Sequence, residues 1–282
     1  MRKKILLSCI CVLLLTSCKS AITKLSNSSE PVVTIDNTNI TNGEVYSTLK
    51  QAMGAYTLTN AVKSYISSKE IEVTDDMYAQ AETSLAEYKK LYGDTFDEYL
   101  KAQNITEDEY VNKVILNSIR NSKLNEKYVD ENYESLCTKY IPKKFNYIVC
   151  NNEEDAKSIK VLLTESEENA SEVAESYNTK LVKNNIICTK IDTTFNSQFL
   201  SDLEKAGNDK WLISQGTDEN YYVYKCVKVT DDDKENIKNI LKSSSDVIND
   251  CETYYFNKYD LNIYDIDIAE QLQKNYSNLK IN

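Results

Sequence analysis

The residues Phe145-Asn146-Tyr147-Ile148-Val149-Cys150 decide the predicted fold. This apolar run follows Pro142 and is typical of a β-strand. Before it, residues 31–141 carry apolar side chains at helical spacing. After it, helical and strand-like segments alternate as far as residue 230, and the chain then returns to a helical pattern. We therefore predict an α+β protein, in which a mostly helical domain (31–141) is followed by an inserted α+β domain (142–230). Residues 231–282 are expected to pack back onto the helical domain.

The helical domain is indicated by two capping boxes, Thr41 with Glu44 and Thr106 with Glu109. In each, a threonine precedes the helix and a glutamate follows three residues later, so that the two can satisfy each other's backbone N–H groups. The first capping box opens a helix with an apolar stripe at Val45, Leu49, Met53 and Tyr56. A separate second helix is predicted from about Thr59.

The inserted domain is predicted from the change of period along the chain. Two short helices follow the first strand, and a strand-like run, a helical stretch and a last strand come after them: residues 186–191, the stretch around Phe199 and Leu203, and residues 221–229. One long amphipathic helix is predicted over about 233–256. Because an isolated helix is only marginally stable in water, its apolar face must dock on another element.

The N-terminus has the pattern of a bacterial lipoprotein signal. Arg2, Lys3 and Lys4 precede an apolar run that is too short to span a bilayer, and the run ends in Leu15-Thr16-Ser17-Cys18. This matches a lipobox, which predicts a signal peptide at 1–17, lipid (palmitate) on Cys18 and a flexible tether over 18–30. The alternatives are an ordinary signal peptide with incidental cysteines, or an uncleaved anchor.

The composition excludes several classes of site. The 282 residues include no histidine, which removes His-based triads and imidazole metal ligands. The five glycines lack the spacing of phosphate-binding loops. The net charge of −11 argues against nucleic acid as a partner. We expect neither a cofactor nor a metal.

Five cysteines follow the lipobox, and they contain no CxxC pair. Their odd number supports neither a zinc site nor a complete disulfide framework. Small buried hydrophobic residues are the simpler interpretation, and a disulfide between strands stays open. The residues are Cys137, Cys150, Cys188, Cys226 and Cys251.

Two segments of the helical domain resemble PrsA-type foldase lipoproteins and the related SurA-type chaperones: Val32 to Thr41 and Leu91 to Tyr110. The insert resembles the parvulin-type peptidyl-prolyl isomerase domain of these proteins. The matching segments there are 146–149, 154–159, 173–177 and 227–231. The resemblance implies a SurA/PrsA-like chaperone domain with an inserted parvulin-like domain.

The catalytic positions of active parvulins are replaced in this chain. The resemblance places the two family histidines at Tyr147 and near Lys225, and the family's acid or thiol near Lys180. These side chains cannot reproduce a network of mutually oriented polar groups around a prolyl amide, so we expect no catalytic residues. The family's apolar proline pocket maps onto Phe199 and Leu203. Both residues are equally consistent with a helix that simply faces a core.

The expected function is a membrane-anchored extracytoplasmic chaperone or foldase, lipid-anchored at the outer face of the cell membrane. Its partners would be unfolded or newly translocated polypeptides, and the 21 tyrosines supply amphipathic rings for such contacts. One alternative is an active peptidyl-prolyl cis-trans isomerase with an atypical site. Another is a surface lipoprotein that interacts with one dedicated partner. The residues leave homodimer formation open.

Overall fold

The computed structural model describes residues 25–165, 170–177 and 181–281, without the side chains of 181–183. Its contacts divide the chain into two units. The helical unit contains the residues up to 121 together with those from 252 onward, and the sheet unit contains 122–251. This division differs from the predicted domain boundaries, because residues 122–141 and 231–251 are grouped with the sheet. The reason lies in contacts described below.

The helical unit begins with a hairpin of β1 (Pro31–Ile35) and β2 (Thr38–Thr41), whose turn places Asp36 at a φ of 53°. Its helices are α1 (Asn42–Glu70), α2 (Asp75–Tyr92), α3 (Asp94–Gln103) and α4 (Glu107–Tyr110). A π-helical turn (Val111–Ile115) then leads into α5 (Leu116–Tyr140).

Helix α1 is one continuous helix of 29 residues, not the two that we predicted. The segment 57–60 contains neither proline nor glycine, so nothing in it interrupts the backbone hydrogen bonds. The predicted capping box is confirmed at its start: the Thr41 backbone N–H donates to the Glu44 carboxylate at 2.7 Å, and the Glu44 N–H donates to Thr41 Oγ1 at 3.3 Å. The second predicted box, at Thr106 and Glu109, is also present.

The core of the helical unit lies among α2, α3, α4 and the turn that follows them. Its buried members are Met77, Ala81, Phe96, Leu100, Tyr110, Ile115 and Leu116. Phe96, Tyr88 and Tyr99 each meet the Tyr110 ring edge to face, at centroid distances of 5.2 to 6.2 Å. Aromatic pairs prefer this geometry, so Tyr110 is the centre of the packing.

The C-terminal segment contributes α11 (Ile266–Asn275), which packs against α1 within the helical unit. Ile268 of α11 lies over Gly54, where a Cβ would be 3.5 Å from Ile268 Cδ1, an ordinary van der Waals contact. The Lys50 ammonium forms an ion pair with the Asp265 carboxylate. The same carboxylate caps α11 by accepting a hydrogen bond from the Ile268 backbone N–H. The start of the unit and the end of the chain are therefore joined by a buried ion pair.

The sheet unit is built on four antiparallel strands in the order β4-β3-β6-β5. The strands are β3 (Lys143–Cys150), β4 (Leu181–Cys188), β5 (Trp211–Gln215) and β6 (Tyr221–Val227). The helices around them are α6 (Glu153–Glu165), α7 (Ala170–Ser176) and α8 (Ser197–Lys205). Strand β5 was not predicted, although Trp211-Leu212-Ile213 has the β-prone composition of a strand.

The two faces of the sheet carry separate cores. One face packs against α6 and α7 through residues that include Ile148, Cys150 and Val223. The other face packs against α8 through Phe145, Tyr224 and Cys226. Successive residues of a strand point to opposite faces, so the buried run of β3 supplies both cores at once.

Helices α9 (Lys234–Ser243) and α10 (Ser245–Lys258) replace the single long helix that we predicted, because Ser244 adopts an extended conformation. Within the sheet unit they contact α5. Asn125 Nδ2 donates to the Lys242 carbonyl at 2.8 Å, and Tyr140 Oη donates to Asp250 at 2.6 Å. These bonds explain why residues 122–141 and 231–251 group together.

Candidate functional site

Six aromatic side chains gather on the α8 face of the sheet, where the resemblance places the isomerase site. This aromatic cluster consists of Phe145, Tyr147, Phe195, Phe199, Tyr222 and Tyr224. Strands β3 and β6 supply four of the rings, α8 supplies Phe199, and the loop before α8 supplies Phe195. Asn196 fixes the start of α8, because its side-chain oxygen accepts from the Phe199 N–H at 2.9 Å.

Tyr147 lies inside the aromatic cluster. Its ring centroid is 5.5 Å from that of Phe195, in an edge-to-face arrangement, and 6.3 Å from that of Phe199. Burial raises the pKa of Tyr147, so its hydroxyl is neutral at physiological pH. A neutral, half-buried phenol surrounded by rings can donate one hydrogen bond but cannot act as a general base near pH 7.

Lys225 lies on the opposite face of the sheet from Tyr147. The register of β3 and β6 pairs Asn146 with Lys225 and Tyr147 with Tyr224. Directly paired residues share a face, so the residue of β6 beside Tyr147 is Tyr224 and not Lys225. The Lys225 ammonium lies 5.6 Å from the centre of the Trp211 ring, in a cation–π contact.

Phe199 and Leu203, the two residues mapped onto the proline pocket, are enclosed by their own chain. Phe199 has no exposed surface and Leu203 is 1% exposed. Phe199 stacks on Tyr222 with centroids 4.5 Å apart and meets Tyr224 edge to face at 5.3 Å. The space above α8 is thus occupied by rings of β6.

An acidic group that the sequence reasoning missed lies at the edge of the aromatic cluster. The Asp218 carboxylate accepts hydrogen bonds from Tyr222 Oη at 2.8 Å and from Asn220 Nδ2 at 2.7 Å. Burial alone would raise the pKa of Asp218, but these bonds outweigh it and the pKa is lowered. Burial and the bond to this carboxylate raise the pKa of Tyr222 to about 12.

Gly216 makes room for this arrangement. A Cβ at Gly216 would lie 2.1 Å from Asp218 Oδ1 and 2.9 Å from the Tyr222 ring, closer than atoms can approach. The glycine therefore lets the turn between β5 and β6 fold over the Tyr222 ring. The turn composition Gly-Thr-Asp-Glu-Asn over 216–220 was the available sequence signal for it.

Lys180 and Cys18, which we predicted as a degenerate site position and as the lipid attachment site, lie outside the described residues. Within the described part of the chain, no group of three or more histidine, cysteine or acidic side chains could hold a metal ion. No helix among the same residues is long and apolar enough to cross a membrane. Cys137, Cys150, Cys188, Cys226 and Cys251 are free thiols.

A second feature with functional potential is an exposed apolar surface on the helical unit. The stripe of α1, Val45, Leu49, Met53 and Tyr56, is between 36 and 63% exposed. The hairpin before it exposes Val32, Val33, Ile35 and Ile40 to between 40 and 59%. We call these eight residues the exposed stripe. Sequence spacing had located the helical half of it but not its exposure.

No protein-family profile matches the chain. It is 28% identical over 159 residues to the foldase protein PrsA of Geobacillus kaustophilus, an alignment that covers 54% of this chain and 53% of that protein. The chain thus spans about half the length of the curated relative it matches.

Solved structures extend the likeness over most of the chain. The structure of a peptidylprolyl isomerase (PrsA) from Bacillus cereus is matched with a TM-score of 0.50 and 19% identity, over 89% of this chain and 99% of that one. PrsA from Bacillus subtilis is matched over 87% and 99% with 17% identity and a TM-score of 0.41. The α+β fold and the resemblance to PrsA-type foldases are confirmed.

Proposed function

We propose that this relative of PrsA-type foldases is an extracytoplasmic chaperone or foldase that binds unfolded or newly exported polypeptides. The curated relative is named a foldase, which supports the protein-folding role. We further propose that Cys18 carries the lipid that holds the chain at the outer face of the cell membrane.

The exposed stripe is the observation that carries this proposal. Exposed groups of large apolar side chains commonly bind other molecules, and the stripe leaves eight such side chains in water. The stripe combines flexible Met53 and Leu49 with the amphipathic ring of Tyr56, which suits contact with many different apolar sequences. Unfolded polypeptides expose the matching apolar side chains.

The aromatic cluster argues against catalysis in the parvulin-like domain. Isomerisation of a prolyl bond needs polar groups that are oriented around its carbonyl. Tyr147 is surrounded mainly by rings, and Lys225 points to the other face of the sheet. We therefore propose that the domain contributes little or no isomerase activity. We also propose that the parvulin-like domain itself runs from about 142 to 230, and that residues 122–141 and 231–251 are helices that pack with it in the sheet unit.

The test is suppression of aggregation of a reduced, unfolded protein by the chain from residue 19 onward. We expect suppression by the wild type and a clear loss in the Leu49→Ser/Met53→Ser variant, because both side chains are exposed and their replacement leaves the core intact. Val161→Ser/Ile248→Ser is the matched control, since it removes exposed apolar side chains from the sheet unit.

Failure of the wild type to suppress aggregation at several-fold molar excess would contradict the proposal. Crosslinking on intact cells separates a general chaperone, which is recovered with many exported proteins, from a lipoprotein with one dedicated partner. Sedimentation of wild type and the Leu49→Ser/Met53→Ser variant tests whether the stripe also joins two copies into a homodimer.

A further inference from the structure

A cleft of about 430 Å³ opens in the helical unit, apart from the exposed stripe and from the aromatic cluster. It lies between the C-terminal half of α1 and the segment that follows Tyr255 at the end of α10. Its lining residues are Ala61, Val62, Tyr65, Ile66, Phe256, Tyr259, Asp260, Leu261 and Asn262. This volume falls in the range of pockets that hold one or two side chains or a small ligand.

The floor and walls of the cleft are apolar and held in place. Ile66 and Phe256 are each 1% exposed, so the floor is part of the core. Tyr65 and Tyr259 form a wall, with ring centroids 6.4 Å apart and planes at 86°. Tyr259 Oη donates to Glu70 at 3.0 Å, which fixes the orientation of its ring. The cleft is therefore preformed, and filling it requires little ordering of the protein.

The rim of the cleft is acidic. Asp260 is exposed, and it is the charged side chain in the lining of the cleft. Two lysines lie against the wall rings and already have partners there. Lys258 pairs with Glu70 and lies 5.8 Å from the centre of the Tyr259 ring, and the Lys69 ammonium lies 5.6 Å from the centre of the Tyr65 ring. The helical unit as described has 20 acidic and 11 basic side chains, a formal charge of −9. A basic ligand is the electrostatic complement of this rim.

We propose that the cleft binds one apolar side chain of an extended polypeptide, and that a lysine or arginine next to this side chain pairs with Asp260. The inference rests on the proposed function and names the class of sequence that the chaperone prefers. The apolar side chain contacts Tyr65, Phe256 and Leu261, and the basic neighbour remains at the wet rim. Unfolded segments with alternating apolar and basic residues are selected over acidic ones.

The experiment measures fluorescence anisotropy of three labelled, unstructured peptides with the chain from residue 19 onward, which keeps every described residue. One peptide has an apolar centre flanked by lysines, the second has the same centre flanked by glutamates, and the third has a serine centre flanked by lysines. The wild type should bind the first most tightly.

Three variants test the cleft. Ala61→Trp fills it from an exposed helical position, and we expect an affinity loss of about tenfold or more for the lysine-flanked peptide. Tyr65→Ala removes one wall and should cost about five- to thirtyfold. Asp260→Asn keeps the positive φ of 48° and should cost about two- to fivefold for the lysine-flanked peptide alone.

The matched controls remove the same groups elsewhere. Tyr78→Ala removes an exposed tyrosine from α2, and Asp209→Asn neutralises an exposed aspartate with a φ of 65° in the sheet unit. Both should leave all three affinities unchanged.

Equal binding of the three peptides by the wild type, or unchanged binding in all three cleft variants, would overturn the inference. If such variants still suppress aggregation, the proposed function stands without this site. A wild type that neither binds the peptides nor suppresses aggregation would contradict both this inference and the proposed function. Self-association that Ala61→Trp abolishes would also overturn the inference, since a second copy would then occupy the cleft.

Discussion

Replacement of Lys50 by methionine tests whether the ion pair between α1 and α11 stabilises the helical unit. Lys50 Nζ lies 3.2 Å from Asp265 Oδ2 and 2.5 Å from Asp267 Oδ2. The side chains of Lys50 and Asp265 are 5 and 6% exposed, whereas that of Asp267 is 44% exposed. The bond to Asp267, and then those to Asp265, raise the pKa of Lys50, so Lys50 is charged at neutral pH.

The expected magnitude follows from what methionine leaves behind. Removal of one partner of a buried ion pair costs about 3–5 kcal/mol, because the remaining charge is buried without compensation. Asp265 still accepts from the backbone N–H groups of Asp267 and Ile268, and Asp267 can return to water. Methionine also keeps most of the apolar stem. We therefore expect a loss of about 2–3 kcal/mol.

Hydrogen–deuterium exchange of residues 265–276 at pH 7 measures this loss where it occurs. A cost of about 2–3 kcal/mol corresponds to protection reduced about 30- to 160-fold. Asp265→Asn in the Lys50→Met background should restore part of the protection, because the neutral amide keeps a capping oxygen and no longer carries a buried charge.

Lys89→Met is the matched control. Lys89 pairs with Glu107 at 2.6 Å in the same unit, but both side chains are more than 40% exposed. Exposed ion pairs contribute little to the free energy of unfolding, so protection against hydrogen–deuterium exchange should hardly change in this variant. Equal protection of wild type and Lys50→Met, or an equal loss in Lys89→Met, would refute the reasoning that burial makes the Lys50 pair important.

Three further predictions concern the anchor, the insert and alkaline stability. Cys18→Ala should move the chain from the detergent phase to the aqueous phase of a phase-partition extract, and unchanged partitioning would favour an uncleaved anchor. The chain should not accelerate prolyl-peptide isomerisation measurably, and an acceleration that Tyr147→Phe abolishes would restore the enzyme alternative. The pKa of Tyr222 is raised to about 12 from 10.0, so its stabilising effect is complete below pH 10 and is lost between pH 10 and 12. Urea unfolding of Tyr222→Phe should depend less steeply on pH in this window than that of the wild type, and identical slopes would argue against this assignment.

Local features of the fold could be predicted from the sequence because they depend on neighbours a few residues apart. The capping boxes at Thr41 and Thr106 join residues three positions apart, and both are present. The apolar run in 145–150 predicted a strand that is now β3. The resemblance of segments along the chain was also sufficient to predict the α+β fold.

The pairing of strand residues and the exposure of side chains were decided only by the tertiary structure. The strand pattern could not distinguish Tyr224 from Lys225 as the neighbour of Tyr147, because a shift of one residue in register exchanges the two faces of β6. Helical spacing gave the positions of Val45, Leu49 and Met53, but their exposure depends on which elements cover α1.

The two parts of the helical unit that carry our strongest tests are also the least visible in the sequence. Lys50 and Asp265 are 215 positions apart. The cleft joins residues 61–66 to residues 256–262. The sequence by itself determined the capping boxes and the strand at 145–150, since their hydrogen bonds and apolar pattern are local. Which charges become buried and which apolar surfaces remain open was determined by long-range packing, because desolvation depends on every element that surrounds a side chain.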